Sequence, residues 1–266
     1  MALSRPVALT VAGSDSGGGA GVVADLKVFE ALGVWGAVAV TAVTAQNSVG
    51  VGAIHLVPPD VVRAQIEAVA GDLGVGAAKT GMLGSSEGVR AVADALRGAG
   101  IAKVVVDPVL WASHGAALLA GGGVEALVED LLPLATVLTP NLAEASALLG
   151  RAIRDRDVMV IAAEALRGLG PEVVMIKGGH LDDSAGAPDL LFGPDGAEWL
   201  EAPRVATTHT HGTGCVLSAA IAAYLARGAG PLEACRAAKA FVSAAIRAGG
   251  PRGAGVGPVD PGSGPR

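Results

Sequence analysis

The sequence predicts a single α/β domain built on a mostly parallel sheet, and three observations support this prediction. The 266 residues are 51% hydrophobic and 17% charged, a balance that favours one large apolar core. Continuous apolar runs, typical of parallel strands covered on both faces, alternate with helical segments along the chain. The 40 glycines lie in clusters between these runs and follow no repeat, which indicates tight turns.

The individual elements follow from the N-terminus. Residues 6–12 form the first apolar run, and SDSGGGAG leads from it into a predicted helix at about residues 20–32. Further strands are predicted at residues 37–43, 103–106, 136–138 and 172–176 and within GVGAAKTGMLG, with an antiparallel hairpin at 190–192 and 198–200. Further helices are predicted at residues 59–70, 85–97, 125–132, 142–149, 155–169, 214–226 and 231–248, and Ser85 is predicted to be the N-cap of the helix at 85–97.

The domain organisation follows from these elements. No linker is long enough to divide the chain, so residues 1–250 are expected to form one domain. The Gly/Pro-rich residues 251–266 are expected to form a flexible tail.

Charge and cysteine content argue against several classes of protein. The net charge is −6, and no basic cluster is stronger than Arg151, Arg154 and Arg156, so we expect no nucleic-acid partner. Cys215 and Cys235 are too few for a disulfide framework and lack metal-ligand spacing. A reduced, cytoplasmic setting fits two such cysteines best.

Two long stretches of the chain carry no charged residue and raise the question of a membrane span. Residues 31–59 and 205–226 are long enough to cross a bilayer. Both contain several polar side chains, whose burial in hydrocarbon is costly. Buried elements of a sheet protein are the better interpretation, and we expect no membrane partner.

The sequence HTHGTGCVLSAAIAAYLA predicts an anion site. Gly212, Thr213 and Gly214 precede a long Ala-rich helix, so free N–H groups and the positive end of the helix dipole converge there. Cys215 lies in the first turn, where the pKa of a thiol is typically lowered. The alternative is a tight turn with a small buried cysteine.

Polar residues at the strand ends are further candidates. DPV, TPN and KGG each follow a strand, so they are expected to share one edge of the sheet, where ligands bind. Lys177 follows EVVMI and is either a phosphate ligand or a solvated lysine. Asn141 and Glu144 either hold a magnesium water shell or form an ordinary helix cap.

Asp25 and Gln46 are candidates for binding a nitrogen heterocycle. Asp25 lies in the first predicted helix, and Gln46 just beyond the second strand. A Gln beside an Asp can pair with a ring amine and a ring nitrogen. The neighbouring Asn47 is predicted to be a turn residue.

A dinucleotide site is poorly supported. Residues 19–24 match G-x-G-x-x-A after a strand, but no carboxylate lies between Glu30 and Asp60 to bind a ribose. None of the five lysines follows a glycine, so a Walker A loop is absent. A nucleotide would have to bind through another architecture.

The motifs together resemble the hydroxymethylpyrimidine/phosphomethylpyrimidine kinases of thiamine biosynthesis. The matching segments are AGSDSGGGAGVVADLK, TAVTAQNSVGV, KTGML, VVVDPV, LTPNLAEA, MIKGGH and THGTGCVLSAAIAAYLA, in order across nearly the whole chain. The resemblance implies a ribokinase-like fold with helices on both faces of the sheet, commonly a homodimer. It also implies ATP, Mg²⁺ and two phosphoryl transfers, first to 4-amino-5-hydroxymethyl-2-methylpyrimidine and then to its monophosphate.

The resemblance also implies roles for individual residues. It assigns the pyrimidine pocket to Ala20, Asp25, Gln46, Met82 and Val109, the anion hole to Gly212, Thr213 and Gly214, and the catalytic position to Cys215. It assigns the ATP phosphates to Lys177, Asn141, Asp107 and Asp189, and the metal to Glu144. The lid after DPV departs from the family pattern, with Trp111 and His114 where smaller or basic residues are usual.

Three alternatives stay open at this stage. A pyridoxal/pyridoxine kinase would share the fold, although such kinases often use a lid cysteine that this chain lacks. A dinucleotide oxidoreductase conflicts with the missing ribose-binding carboxylate. A non-catalytic pyrimidine-binding protein would bind the ring without ATP turnover.

Overall fold

Nine strands form one sheet in the part of the chain that the structure describes. The structure is a computed structural model that describes residues 5–112, 115, 117–179, 181 and 186–263. The strands are β1 (Val7–Gly13), β2 (Trp35–Gln46), β3 (Val51–Leu56), β4 (Ala77–Thr80), β5 (Val104–Val106), β6 (Val137–Leu138), β7 (Val173–Ile176), β8 (Asp189–Gly193) and β9 (Gly196–Leu200). Their order is β3-β2-β1-β4-β5-β6-β7-β8-β9.

The centre of the sheet is parallel and its edges are antiparallel. The pairs from β2 through β1, β4, β5 and β6 to β7 are all parallel. Strand β3 joins one edge antiparallel, and the β8–β9 hairpin joins the other. The predicted α/β fold with a mostly parallel sheet is therefore confirmed, and so is the predicted hairpin.

Helices cover both faces of this sheet. They are α1 (Gly21–Ala31), α2 (Pro59–Leu73), α3 (Ser86–Gly98), α4 (Gly123–Ala126), α5 (Leu142–Leu149), α6 (Arg156–Arg167), α7 (Thr213–Ala226) and α8 (Pro231–Ala248). One apolar core packs α2, α3, α5 and α6 against the sheet, and a second packs α1, α7 and α8 against the opposite face. None of the helices in the described residues has the length and apolar character needed to cross a membrane.

Local capping explains where several helices begin. The hydroxyl of Ser85 accepts a hydrogen bond from Gly88 N, which confirms the predicted N-cap of α3. Asp155 caps α6 in the same way through Val158 N. Between α3 and α5 the predicted helix is irregular, because α4 continues into a π-helical turn at Leu127–Leu131.

The second strand is longer and more exposed than its sequence predicts. Its C-terminal half projects beyond the central sheet and pairs with β3, which sequence analysis did not predict. Every residue of β3 after Val51 is exposed. In the C-terminal half of β2 buried residues such as Ala42 and Thr44 alternate with exposed ones such as Val43, and the apolar run continues into the exposed β3, so hydrophobicity alone did not mark the boundary of the core.

The C-terminal segment differs from the expected flexible tail. Val256 N donates to the carbonyl of Ser48, and Val259 N donates to that of His211. Val259 itself is buried. These contacts do not fit a frayed terminus, and residues 255–263 instead pack against two loops at the edge of the sheet.

A buried ion pair joins the sheet to α1. Lys79 lies in β4, and its ammonium donates to the carboxylate of Asp25 at 2.8 Å, with both side chains fully buried. The hydroxyl of Thr10 donates to the same carboxylate oxygen at 2.6 Å. Burial raises the pKa of Asp25, although the nearby Lys79 charge lowers it. Each charge therefore depends on the other to remain in the core.

Removal of one partner is expected to destabilise the protein. Lys79→Met leaves the Asp25 carboxylate buried and unpaired, and should lower the free energy of unfolding by about 3–5 kcal/mol. The double variant Lys79→Met/Asp25→Leu should recover most of this loss, as measured by urea denaturation. In the control, Arg63→Met breaks the exposed Arg63–Asp94 pair and should cost less than about 1 kcal/mol. A Lys79→Met variant as stable as the wild type would contradict the prediction.

Candidate active site

The predicted anion hole lies at the N-terminus of α7. Gly212 is the N-cap, has a φ of +81°, and provides no side chain to cap the helix. A Cβ atom at Gly212 would overlap the carbonyl oxygen of Gly19. Glycine is therefore required twice over, by the left-handed backbone and by the close approach of the two loops. The N–H groups of the first helical turn have no intrahelical partners, although that of Thr213 donates to the carbonyl of Thr210 at 3.2 Å.

Three charged side chains from different strand ends meet beside this helix terminus. The ammonium of Lys177 lies 2.9 Å from the carboxylate of Asp107 and 3.6 Å from that of Glu144. It also lies 3.3 Å from the position that a Cβ atom of Gly214 would take. The structure thus brings the predicted phosphate side and the predicted anion hole together at the carboxyl ends of β5 and β7.

Asp107 is also fixed by two hydroxyl groups. Thr139, which follows β6, donates to one carboxylate oxygen at 3.2 Å, and Ser218 of α7 donates to the other at 3.2 Å. The strand-end tripeptides DPV, TPN and KGG therefore share one edge of the sheet, as predicted. Asp107 connects that edge to the first turns of α7.

Burial and mutual attraction set the protonation of this cluster. Burial alone would lower the pKa of Lys177, but Asp107 and Glu144 raise it above its ordinary value. Burial opposes ionisation of Asp107, yet Lys177 and Lys79 hold its pKa below the ordinary value. For Glu144 burial dominates and raises the pKa, although the Lys177 charge opposes this. Lys177 therefore stays cationic and Asp107 anionic at neutral pH.

Asn141 and Glu144 form a capping box at the start of α5. The side chain of Asn141 accepts from Glu144 N at 2.9 Å, and that of Glu144 accepts from Asn141 N at 2.7 Å. The ordinary-cap alternative therefore describes their local structure. Glu144 still faces Lys177, so capping places this carboxylate at the edge of the cluster.

Asp189 supports the loop that follows Lys177. One carboxylate oxygen accepts from Gly178 N at 2.9 Å, and the other accepts from Lys239 of α8 at 2.8 Å. Both oxygens are thus engaged by the protein. Asp189 holds the backbone next to Lys177 in place.

The metal site predicted at Glu144 has few protein donors. Within the described ranges, no group of three His, Cys, Asp or Glu side chains is arranged to hold a metal ion. Magnesium commonly binds through one or two carboxylates together with substrate phosphates and waters. Glu144 fits that kind of site as a single carboxylate, with phosphates and waters completing the coordination, whereas both oxygens of Asp107 already accept from Lys177, Thr139 and Ser218.

Cys215 differs from the low-pKa thiol that its helix position predicts. Burial raises the pKa of the Cys215 thiol to about 11, although the Lys79 charge lowers it. Asp25 and Asp107 raise it further, while the N–H of Gly21 donates to the sulfur. The prediction of a lowered pKa was wrong because nearby carboxylates and desolvation outweigh the helix terminus. Cys215 is therefore a neutral thiol at neutral pH.

The predicted pyrimidine side lies around the C-terminal end of β1. Gln46 lines an open cleft of about 540 Å³ together with Ser16, Asn47 and the start of β3. Its side-chain oxygen accepts from the hydroxyl of Thr44 at 3.2 Å, and its backbone N–H donates to the hydroxyl of Ser16 at 2.8 Å. Asn47 accepts from Val49 N at 2.9 Å, which confirms that it is a turn residue.

The other residues assigned to the pyrimidine pocket lie near the same strand ends. Met82 follows β4, and its sulfur lies 3.1 Å from the position of a Cβ atom on Gly13. Val109 is partly exposed beyond β5, and Ala20 is the N-cap of α1. Asp25 is different, since its carboxylate is wholly buried against Lys79 and Thr10. The structure does not place Asp25 beside Gln46 in the cleft.

Three residues of the site were missed by sequence analysis. Lys79 lies in KTGML, and a lysine in a short strand gives no local sign of burial. Asp15 and His211 form a buried pair 196 residues apart, with Nε2 of His211 2.9 Å from the Asp15 carboxylate. The only available signal was the presence of a charged residue inside each glycine-rich loop.

The lid is described only in part. Trp111 lies at its start, is 42% exposed and bridges to Ala117. His114 lies outside the described residues. The expected departure from the family pattern at this position therefore stays a prediction.

Comparisons with known proteins identify the family of this chain. The model of the family described as phosphomethylpyrimidine kinase matches residues 15–260. A hydroxymethylpyrimidine/phosphomethylpyrimidine kinase of Streptomyces coelicolor is 51% identical over 260 residues, which cover 98% of this chain and 96% of the relative.

Two solved structures extend the comparison to the fold. The phosphomethylpyrimidine kinase of Clostridium difficile superposes with a TM-score of 0.81 at 39% identity, covering 91% of this chain and 100% of the other. Pyridoxal kinase of Staphylococcus aureus, solved with AMP-PCP and pyridoxal, superposes with a TM-score of 0.90 at 38% identity, covering 98% and 94%. The family match, the curated relative and the solved structures all point to the same family and the same sheet architecture. The chain therefore belongs to the phosphomethylpyrimidine kinase family and has a ribokinase-like fold.

Proposed function

We propose that this protein is an ATP-dependent kinase that phosphorylates 4-amino-5-hydroxymethyl-2-methylpyrimidine and then its monophosphate, in thiamine biosynthesis. One observation supports this most strongly: the α7 terminus adjoins Lys177 on one side and the loop of residues 14–20 on the other. That loop binds the backbone of Gln46 through Ser16. The proposed phosphate site and the proposed heterocycle site would therefore be adjacent, in a chain that is similar to kinases of this pyrimidine.

Phosphoryl transfer suits the chemistry of these residues. Its transition state needs alignment of the reacting oxygens and neutralisation of charge more than it needs a strong base. The N–H groups at the start of α7 and the Lys177 ammonium would stabilise the charge on the transferring group. Asp107 orients Lys177 through the 2.9 Å ion pair.

ATP and Mg²⁺ are part of this proposal. ATP would supply the phosphoryl group, and the AMP-PCP complex of the S. aureus kinase supports nucleotide binding by this fold. Glu144 would hold the magnesium ion together with the ATP phosphates, and Asp107 would act on the phosphates through Lys177. Asn141 caps α5 and so keeps the Glu144 carboxylate in position.

The reaction is tested by ADP release in a coupled assay. We expect turnover with the hydroxymethylpyrimidine and with its monophosphate, and much slower turnover with pyridoxal. Faster turnover with pyridoxal would favour the pyridoxal kinase alternative, which the S. aureus neighbour supports. Pyrimidine binding without ADP release would favour a non-catalytic binding protein.

Gln46 is expected to bind the pyrimidine edge. Gln46→Leu removes the donor and the acceptor from the cleft and should raise KM for the pyrimidine by about 10–100-fold, since each unpaired ring group costs about 1–3 kcal/mol. An analogue that lacks the 4-amino group provides the control, because its KM should change much less in the variant. Steady-state kinetics with both compounds measure this, and parallel changes in the two KM values would place Gln46 outside the amine contact.

Cys215 is expected to matter most when the nucleophile is an alcohol. Cys215→Ala should slow the first transfer by about 10²–10⁴-fold, the usual effect of removing a general base, and the second transfer much less. Because the pKa of the thiol is about 11, the wild-type rate on the alcohol should rise with pH above neutrality as the thiolate fraction grows.

Single-turnover measurements on each substrate test the role of Cys215. Cys235→Ala is the matched control, since this second thiol lies in the core of α8 and should leave both rates nearly unchanged. Equal losses in both transfers for Cys215→Ala would mean that the sulfur serves packing. The two free thiols also support the proposed cytoplasmic location.

The exposed β2–β3 hairpin supports a homodimer. Val43 is 54% exposed, Ile54 41% and Val49 62%, all on a hairpin that projects from the sheet. A two-stranded ribbon is marginally stable alone, and an uncovered apolar edge favours association. Val43 and Ile54 lie on opposite faces of the hairpin, since Val43 pairs with His55 and Ile54 with Thr44. A second copy of the chain would pack around the hairpin next to the Gln46 cleft and cover both faces.

Charge on the hairpin is expected to weaken the dimer. Val43→Lys/Ile54→Lys adds a charge to each face of the hairpin and should shift the mass measured by light scattering from dimer towards monomer. Ile161→Lys is the control, because Ile161 is 53% exposed on α6, outside the hairpin. An unchanged mass in the hairpin variant, or a monomeric wild type, would contradict the proposed interface.

A further inference from the structure

The carboxylate of Asp15 organises the glycine-rich loop before α1. It is buried and accepts hydrogen bonds from Gly17 N at 2.8 Å, Gly19 N at 3.1 Å and Ala20 N at 2.9 Å. A loop of three successive glycines has little conformational preference of its own. A single buried side chain therefore fixes the path of this loop.

The same carboxylate also contacts His211 from the opposite end of the chain. Nε2 of His211 lies 2.9 Å from Asp15 Oδ2, and both side chains are buried. Burial opposes ionisation of Asp15, but the contact with His211 and the backbone N–H groups hold its pKa below the ordinary value. Asp15 thus remains a carboxylate that accepts from the imidazole.

His211 is covalently next to the anion hole. It directly precedes Gly212, and its backbone is held on both sides, since its N–H donates to Gly257 O and its carbonyl accepts from Val259 N. Its ring packs on Gly19, where an added Cβ atom would lie 2.5 Å from Cδ2 of the imidazole. Movement of the imidazole would therefore displace the start of α7.

These contacts form a continuous path between the two halves of the site. The hydroxyl of Ser16 exchanges two hydrogen bonds with the backbone of Gln46, at 2.7 and 2.8 Å. Ser16 is bonded to Asp15, Asp15 contacts His211, and His211 is bonded to Gly212. The path thus joins the pyrimidine-binding residue to the anion hole through two peptide bonds and two sets of hydrogen bonds.

We infer that His211 is a positioning residue, which through Asp15 fixes the distance between the pyrimidine loop and the anion hole. The inference rests on the proposed kinase function. The attacking oxygen and the phosphorus must approach within about 3–3.5 Å, and a misplacement of about 1 Å can cost on the order of 10² in rate. The His211–Asp15 pair therefore affects how the two bound substrates are aligned with each other. The contacts that bind each substrate separately are unchanged.

The experiment compares two substitutions of His211 in the full chain. His211→Phe keeps a ring but loses the N–H, and should lower kcat by about 10–100-fold while KM for the pyrimidine changes less than about threefold. His211→Gln carries an amide N–H at a similar reach and should keep kcat within about threefold of the wild-type value. A merely structural role would lower the free energy of unfolding without this split between kcat and KM.

His209→Phe is the matched control. Its ring lies two residues away in the same loop and accepts from Gly257 N at 3.1 Å, whereas the ring of His211 meets Asp15. His209→Phe should retain kcat within about threefold of the wild-type value. An equal fall in kcat for His209→Phe and His211→Phe, or equal losses in the Phe and Gln variants of His211, would overturn the inference.

Hydrogen–deuterium exchange separates this inference from the proposed function. In His211→Phe, amide exchange should accelerate in residues 14–21 as well as in residues 209–215, whatever substrate the enzyme uses. Unchanged exchange in residues 14–21 would overturn the inference even with an active kinase. A wild type that releases no ADP with the pyrimidine would overturn the proposed function and leave the exchange result to decide the coupling.

Discussion

Burial of charged side chains is the constraint on which the rest of the site depends. Asp25, Lys79, Asp107, Lys177 and Glu144 alternate in sign beneath the carboxyl edge of the sheet. A buried charge without a partner costs several kcal/mol, so each of these side chains requires its neighbours. Because they come from α1, β4, α5 and the ends of β5 and β7, their pairing fixes those elements relative to one another.

Cysteine at position 215 fits this electrostatic environment. A fixed carboxylate there would add a further negative charge beside Asp25 and Asp107, which already raise the pKa of the thiol. It would also repel the incoming monophosphate in the second proposed transfer. A neutral thiol avoids both costs. It would accept the proton of the alcohol as the thiolate, whose fraction grows as the pH rises towards the raised pKa of about 11.

Glycine provides the close approach between the two loops of the site. At Gly212 and Gly19 the backbones of loops from opposite ends of the chain leave no room for side chains. Specific contacts at this junction therefore come from the flanking residues Asp15 and His211. This division of roles explains why loops rich in glycine can still hold a defined geometry.

The sequence by itself determined the features that arise between neighbouring residues. The order of the helices and of the strands other than β3, the cap at Ser85, the turn at Asn47 and the capping option at Asn141 and Glu144 were predictable, because periodicity and capping act over a few positions. The gathering of DPV, TPN and KGG at one edge was also predictable, since parallel strands end on the same side.

Only the tertiary structure decided which distant residues meet and what burial does to them. The Asp15–His211 and Asp25–Lys79 pairs span 196 and 54 residues, and no local pattern specifies either partner. The raised pKa of Cys215 and the exposed β2–β3 hairpin were likewise mispredicted or missed. Desolvation and charge pairing depend on groups far apart in the chain, so they are set by packing and not by sequence spacing.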